Sequence, residues 1–105
     1  MSAPAWTAVA SLDDFAASDA IAVEAGGKQV AIYLVDGCVF ATSNRCTHGD
    51  ASLCDGFLEG HEIECPHHQG RFDVRTGLAT AAPAEVALAT WPARIVDGRV
   101  ELQLD

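Results

Sequence analysis

The last thirteen residues, ARIVDGRVELQLD, show the plainest patterning in the chain. Val100, Leu102 and Leu104 alternate with Glu101, Gln103 and Asp105. A period of two predicts a half-buried strand. Asp97-Gly98 stands just before it, a pair that favours the tight type I′ hairpin turn. The same grammar recurs in KQVAIYLVDGCVFATS, where residues 30–35 are β-branched, aromatic and aliphatic. Asp36-Gly37 turns the chain and residues 38–41 return it. FLEGHEIEC reads as a third hairpin, around Glu59-Gly60. Residues 6–9 and 20–23 are further strand candidates. The helical signal is confined to SLDDFAA, with Ser11 as N-cap and acids in the first turn. The stretch GLATAAPAEVALAT is rich in alanine, but Pro83 interrupts it. Short strands at this spacing predict an all-β fold, a small antiparallel β-sandwich or barrel.

Length and charge narrow the picture. The 105 residues suffice for one domain, 1–105, and half of them are apolar, enough for a core without disulfide staples. Fifteen acids against six bases give a formal charge of -9. That balance disfavours nucleic acid and anionic membranes as partners, because both need clustered Lys and Arg. It favours steering toward a basic protein partner. The N-terminus lacks a basic segment and carries Asp13 and Asp14, so neither a signal nor a transit peptide is expected. No apolar run approaches the roughly 20 residues of a membrane span. The expected location is the cytoplasm, where four cysteines point to thiols or metal ligands ahead of disulfides.

The chemistry gathers in two segments between strand candidates. NRCTHGD supplies Cys46 and His48, and ECPHHQG supplies Cys65 with His67 and His68. Sixteen residues separate His48 from Cys65 and contain the Glu59-Gly60 hairpin. A hairpin returns the chain to where it left, so both segments fall at one end of a sheet. Two Cys and two His converging from two loops make a metal site, for zinc or for iron–sulfur. Structural zinc pairs are usually spaced by two to four residues, and C-x-H is tight for that. Gly49, Pro66 and Gly70 would let backbone N–H groups come close to an inorganic cluster.

C-x-H-x16-C-x2-H in a small all-β chain resembles the Rieske pattern, a 2Fe–2S centre in which two His replace two Cys on one iron. The chain is similar to the small Rieske ferredoxins of bacterial aromatic-ring dioxygenases of the naphthalene type. The resemblance is densest from Cys46 through Gly77 and on to Pro83. It implies a Rieske-type β-sandwich with a cluster-binding subdomain, about residues 44–83, formed by two loops. It implies one 2Fe–2S cluster per chain, with Cys46 and Cys65 on one iron and His48 and His68 on the other. Two neutral imidazoles in place of thiolates leave the oxidised cluster near neutral, so it accepts an electron more readily than an all-Cys cluster. Respiratory Rieske proteins carry an extra disulfide between the loops; the matching positions here are Ala51 and His67. They also carry a serine and a tyrosine that donate to the cluster sulfurs; here the matching positions are Gly70 and Phe72. The resemblance therefore implies a potential at the low end of the roughly -150 to +300 mV Rieske range. The implied role is a soluble, monomeric one-electron carrier without a catalytic site of its own. Its implied partners are an NAD(P)H-dependent flavin reductase and a terminal oxygenase, each docked transiently. The competing readings are a small accessory subunit of another reductase, such as nitrite reductase, and a zinc-stabilised β module.

The remaining chemistry-bearing residues carry plainer expectations. Cys38 reads as a buried small residue in a strand, and Cys54 as part of a strand and turn. His61 reads as a solvated hairpin tip. The resemblance places the Pro83 loop over the cluster. Leu53, Phe72 and Trp91 either shield the site or belong to the core. Asp50, Asp55, Glu59, Glu62 and Glu64 flank the loops, as a docking face or as ordinary solvated acids.

Overall fold

The computed structural model describes residues 5–47, 51–67, 69–82, 84 and 86–104. Eleven strands lie among the described residues: β1 (Thr7–Ser11), β2 (Ala20–Ala25), β3 (Lys28–Val35), β4 (Cys38–Ser43), β5 (Phe57–Glu59), β6 (Glu62–Glu64), β7 (Arg71–Asp73), β8 (Ala79–Ala81), β9 (Thr90–Trp91), β10 (Ala93–Val96) and β11 (Arg99–Leu102). They form three antiparallel sheets, ordered β1-β11-β10, β2-β3-β4-β9 and β5-β6-β7-β8. No α-helix occurs among the described residues, and none of their helices is long and apolar enough to cross a membrane. The described residues of the alanine-rich stretch contribute β8 and the first residue of β9.

The predicted turns form for the predicted reason. Asp36 and Gly37 have φ of 51° and 79°, and Asp97 and Gly98 have 51° and 78°. Two successive left-handed residues match the right-handed twist of the flanking strands. Ser11 caps a single 3-10 turn, Leu12–Phe15. Its hydroxyl accepts the Asp13 N–H at 3.3 Å, and its own N–H donates to the Asp14 carboxylate at 2.9 Å. That reciprocal pair is a capping box. It turns Phe15 inward, where it is buried.

Strand β3 explains the layering. Its residues alternate between two separate cores, so the strand is buried on both faces and reads as a continuous apolar run. Val30 and Ile32 pack with Phe15, Val39, Ala41, Val100 and Leu102 in the first core. Ala31, Tyr33 and Val35 pack with Leu53, Ile63, Phe72, Val74 and Leu88 in the second. The buried Tyr33 hydroxyl shares a hydrogen bond with Thr42 Oγ1 at 2.9 Å, and burial pushes the phenol well above its ordinary pKa. The second core also holds Cys46 and Cys65.

Candidate metal centre

The two cysteine-bearing loops are built alike. In the first, the Cys46 N–H donates to the Ala51 carbonyl at 2.9 Å. In the second, the Cys65 N–H donates to the Gly70 carbonyl at 2.8 Å. Each cysteine N–H thus closes the base of its own loop, 46–51 in the first and 65–70 in the second. The first stands on Asn44: its N–H donates to Gln29 O at 3.0 Å and its carbonyl accepts the Leu53 N–H at 2.7 Å. The Asn44 side chain then accepts the Cys54 N–H at 3.0 Å. The second loop leaves β6 and enters β7. Gln69 adopts a left-handed φ of 60°, and its N–H donates back to Cys65 O at 3.1 Å.

Sequence spacing placed both cysteines at one end of a sheet, and they do share one buried cluster. Cys46 is 2% exposed and Cys65 is fully buried, with Ala51, Ala84, Leu53 and Phe72 in the same cluster. His48 and His68, together with Gly49 and Asp50, lie outside the described residues. Among the described residues, accordingly, no group of three or more His, Cys, Asp or Glu gathers. None of the four cysteines forms a disulfide. A thiol binds metal as the thiolate, and a bare thiolate is costly in apolar surroundings unless a cation offsets it. Two buried, unbridged thiols in matching loops therefore fit a metal cofactor.

Ala84 and Val86 each meet one of these loops. A Cβ on Gly70 would stand 2.8 Å from the Ala84 Cβ and 2.9 Å from its backbone N, so only glycine lets this segment lie down. Thr47 Oγ1 donates to the Val86 carbonyl at 2.6 Å. Pro83, expected to cover the cluster, lies outside the described residues.

Three expectations change. Cys38 is exposed: it opens β4 directly after the Asp36-Gly37 turn, opposite Val35, and the alternation turns Val39 inward instead. Cys54 sits in a 3-10 turn, Leu53–Asp55, half-buried, and burial raises its thiol pKa. His61 is half-buried, not simply solvated. Its ring meets Phe40 edge-on at 5.7 Å, and its carbonyl accepts the Val74 N–H at 2.8 Å. Leu53 and Phe72 line the cysteine-bearing core, whereas Trp91 packs against the other. Of the flanking acids, Glu59, Glu62 and Glu64 gather around Arg71 at 3.8, 3.6 and 3.1 Å. Asn44 and Thr47 carried no sequence signal, because their partners lie 10 and 39 residues away.

A family model described as the Rieske [2Fe-2S] domain matches residues 5–92. The chain belongs to this family. The zinc reading falls with that assignment, since the Rieske cofactor is a 2Fe–2S cluster. The Rieske chain is 49% identical over 100 residues to the ferredoxin component of the naphthalene 1,2-dioxygenase/salicylate 5-hydroxylase systems of a Ralstonia species, covering 95% of this chain and 96% of that one. It superposes on a ferredoxin of Sphingomonas yanoikuyae B1 with a TM-score of 0.88 and 38% identity, covering 96% and 100% of the two chains. A third likeness is to a structure described as a complex of reduced oxygenase and oxidized ferredoxin in carbazole 1,9a-dioxygenase. The TM-score is 0.84 and the identity 35%, covering 93% of this chain and 92% of that one.

Proposed function

We propose that this Rieske protein is a one-electron carrier that serves a ring-hydroxylating dioxygenase system. It is read as a single domain, 1–105, with a cluster-binding subdomain at about 44–83. Cys46 and Cys65 would hold one iron of the cluster, and His48 and His68 the other. When bound, the cluster supplies one reversible electron at nearly constant geometry. The protein's own part is to keep both thiols dry in one core and to close each loop by its Cys N–H. The observation that carries the reading is the pairing of Cys46 and Cys65 in one buried core, in a chain matched by the Rieske family over residues 5–92.

A low potential is supported by what Gly70 and Phe72 lack. Both are buried beside the second loop and neither brings a hydroxyl to stabilise the reduced cluster. The partners are an NAD(P)H-dependent flavin reductase as donor and a terminal oxygenase as acceptor. The oxygenase is supported by the names of the Ralstonia relative and the carbazole complex. The protein is taken to work as a cytoplasmic monomer that docks transiently. An accessory role in another reductase has less support, because the Ralstonia relative is named as a dioxygenase ferredoxin.

Absorption and EPR spectra before and after dithionite test the proposal. A brown protein whose EPR signal appears only on reduction, with an average g below the free-electron value, is the expected result. His67→Ala should keep that signal and His68→Ala should lose it. A colourless sample with stoichiometric zinc would overturn the cofactor, and loss of the signal in His67→Ala would overturn the ligand set.

A further inference from the structure

The two cysteine loops stand on unlike bases. The second rises from a hairpin, with Ile63 opposite Phe72 and Glu64 opposite Arg71 in the β6–β7 ladder. The first has no such stem: β4 ends at Ser43, and residues 51–54 belong to no strand. Its legs meet in one short antiparallel register instead. The Asn44 carbonyl accepts the Leu53 N–H at 2.7 Å, Arg45 bridges Ser52, and the Cys46 N–H donates to Ala51 O at 2.9 Å. Asn44 fixes this register at its foot. Its N–H donates to Gln29 O at 3.0 Å, which ties one leg to β3. Its side-chain oxygen accepts the Cys54 N–H at 3.0 Å, which ties on the other. Asn44 is 6% exposed. A buried amide costs stability unless it is bonded, so a polar residue here needs a task. Thr42, likewise buried, bonds its hydroxyl within the scaffold, to Tyr33 and to Ser43 O. The Asn44 side chain bonds to the loop.

We infer that Asn44 is a positioning residue: its side-chain oxygen takes the place of a sheet stem, holds residues 51–54 against 44–46, and so fixes Cys46 for the cluster. The inference rests on the reading that Cys46 is a ligand of a 2Fe–2S cluster. Without that oxygen the Cys54 N–H loses its partner, and the leg carrying Ala51 parts more readily from Cys46. Cys46 is then held loosely, whereas Cys65 keeps its hairpin.

The test compares wild type, Asn44→Leu, Asn44→Asp and Cys54→Ala, each purified with its cluster. Leucine keeps the size of asparagine and removes the acceptor; aspartate keeps an oxygen for the Cys54 N–H. Cys54→Ala keeps that N–H and removes the thiol. Hydrogen exchange is followed by mass spectrometry, and the cluster by its reduced EPR spectrum and by bleaching in excess iron chelator. In Asn44→Leu, exchange should quicken about tenfold in peptides covering 51–54 and stay unchanged in those covering 62–65. Its EPR lines should broaden, and it should bleach about tenfold faster than wild type. Asn44→Asp and Cys54→Ala should bleach within about threefold of wild type. Equal bleaching in wild type and Asn44→Leu would overturn the inference. So would equal quickening of exchange in both sets of peptides, the mark of a general loss of stability. Cys54→Ala bleaching as fast as Asn44→Leu would overturn it too, because the thiol would then matter and not the amide. If Asn44→Leu purifies without a cluster, loading of Asn44→Asp supports the inference and failure of both overturns it. A wild type without the cluster spectrum would instead defeat the underlying reading.

Discussion

The two cores on either side of β3 are built from different materials. The first is closed by hydrocarbon alone: Val30, Ile32, Val39, Val100, Leu102 and Phe15. Short hairpins bring its strands together, and alternation in each strand fills it. The second contains two thiols among its buried residues, and two of its small members, Ala51 and Ala84, lie outside the strands. Its sheet consists of three-residue strands, and a short sheet buries too little surface to stand alone. The first core therefore serves as scaffold. The second depends on what its loops hold.

Truncation on each side of β3 should separate them. Phe72 and Ile32 are both fully buried, Phe72 in the core of the cysteines and Ile32 in the other. Phe72→Ala should cost about 4 kcal/mol and Ile32→Ala about 3 kcal/mol. The informative difference lies in the cofactor. Thermal unfolding followed at once by far-UV circular dichroism and by visible colour should show Ile32→Ala losing both signals together at a lower temperature. Phe72→Ala should lose colour first. If Ile32→Ala also bleached ahead of unfolding, the two cores would be one energetic unit.

A smaller perturbation addresses the packing of Ala84 on Gly70 alone. Gly70→Ala places a methyl 2.9 Å from the Ala84 backbone N, which cannot swing aside like a side-chain tip. Overpacking of this kind should cost about 2 kcal/mol. In a domain of this size that lowers the midpoint by roughly 10 °C. Hydrogen exchange should quicken at Ala84 and Leu88 while the amides of β3 and β4 keep their protection. Uniform loss of protection would show that the Gly70–Ala84 contact is not energetically separate from the scaffold.

The scaffold was largely legible in the sequence because its information is local. Asp36-Gly37 and Asp97-Gly98 carry their turn type in two residues, and Val100 to Leu104 carry their facing in five. The pairing of Cys46 with Cys65 was legible too, since the intervening hairpin fixes where the chain returns. Errors arose where burial depends on a partner distant in sequence. Cys38 looks interior by residue type, yet its position right after a turn leaves it outside. His61 looks like a turn tip, yet Phe40 of β4 reaches it. The fit of Gly70 under Ala84 and the Thr47–Val86 bond are contacts between segments with no shared pattern. No spacing rule announces them.

Charge should distinguish the cores least, because both are apolar and the ion pairs lie outside. Asp73 in β7 makes the clearest test. Arg75 donates to its two carboxylate oxygens at 3.1 and 2.9 Å and holds the carboxyl below its ordinary pKa, with His61 a smaller contributor. A carboxyl depressed in the folded state adds stability that is full above the unfolded value of 3.8 and fades as pH falls through the lower folded value. Arg75 is half exposed, so solvent screens the pair and about 0.5 kcal/mol is expected at neutral pH. In Asp73→Asn the side-chain carbonyl can still accept the Arg75 backbone N–H, now 2.8 Å from Asp73 Oδ1, so the substitution removes mainly the charge. Urea unfolding should find the variant slightly weaker at pH 7, with the difference closing only as pH falls below about 4. A deficit that persisted at low pH would mean that the turn geometry after β7, and not the ion pair, is what Asp73 supplies to the second core.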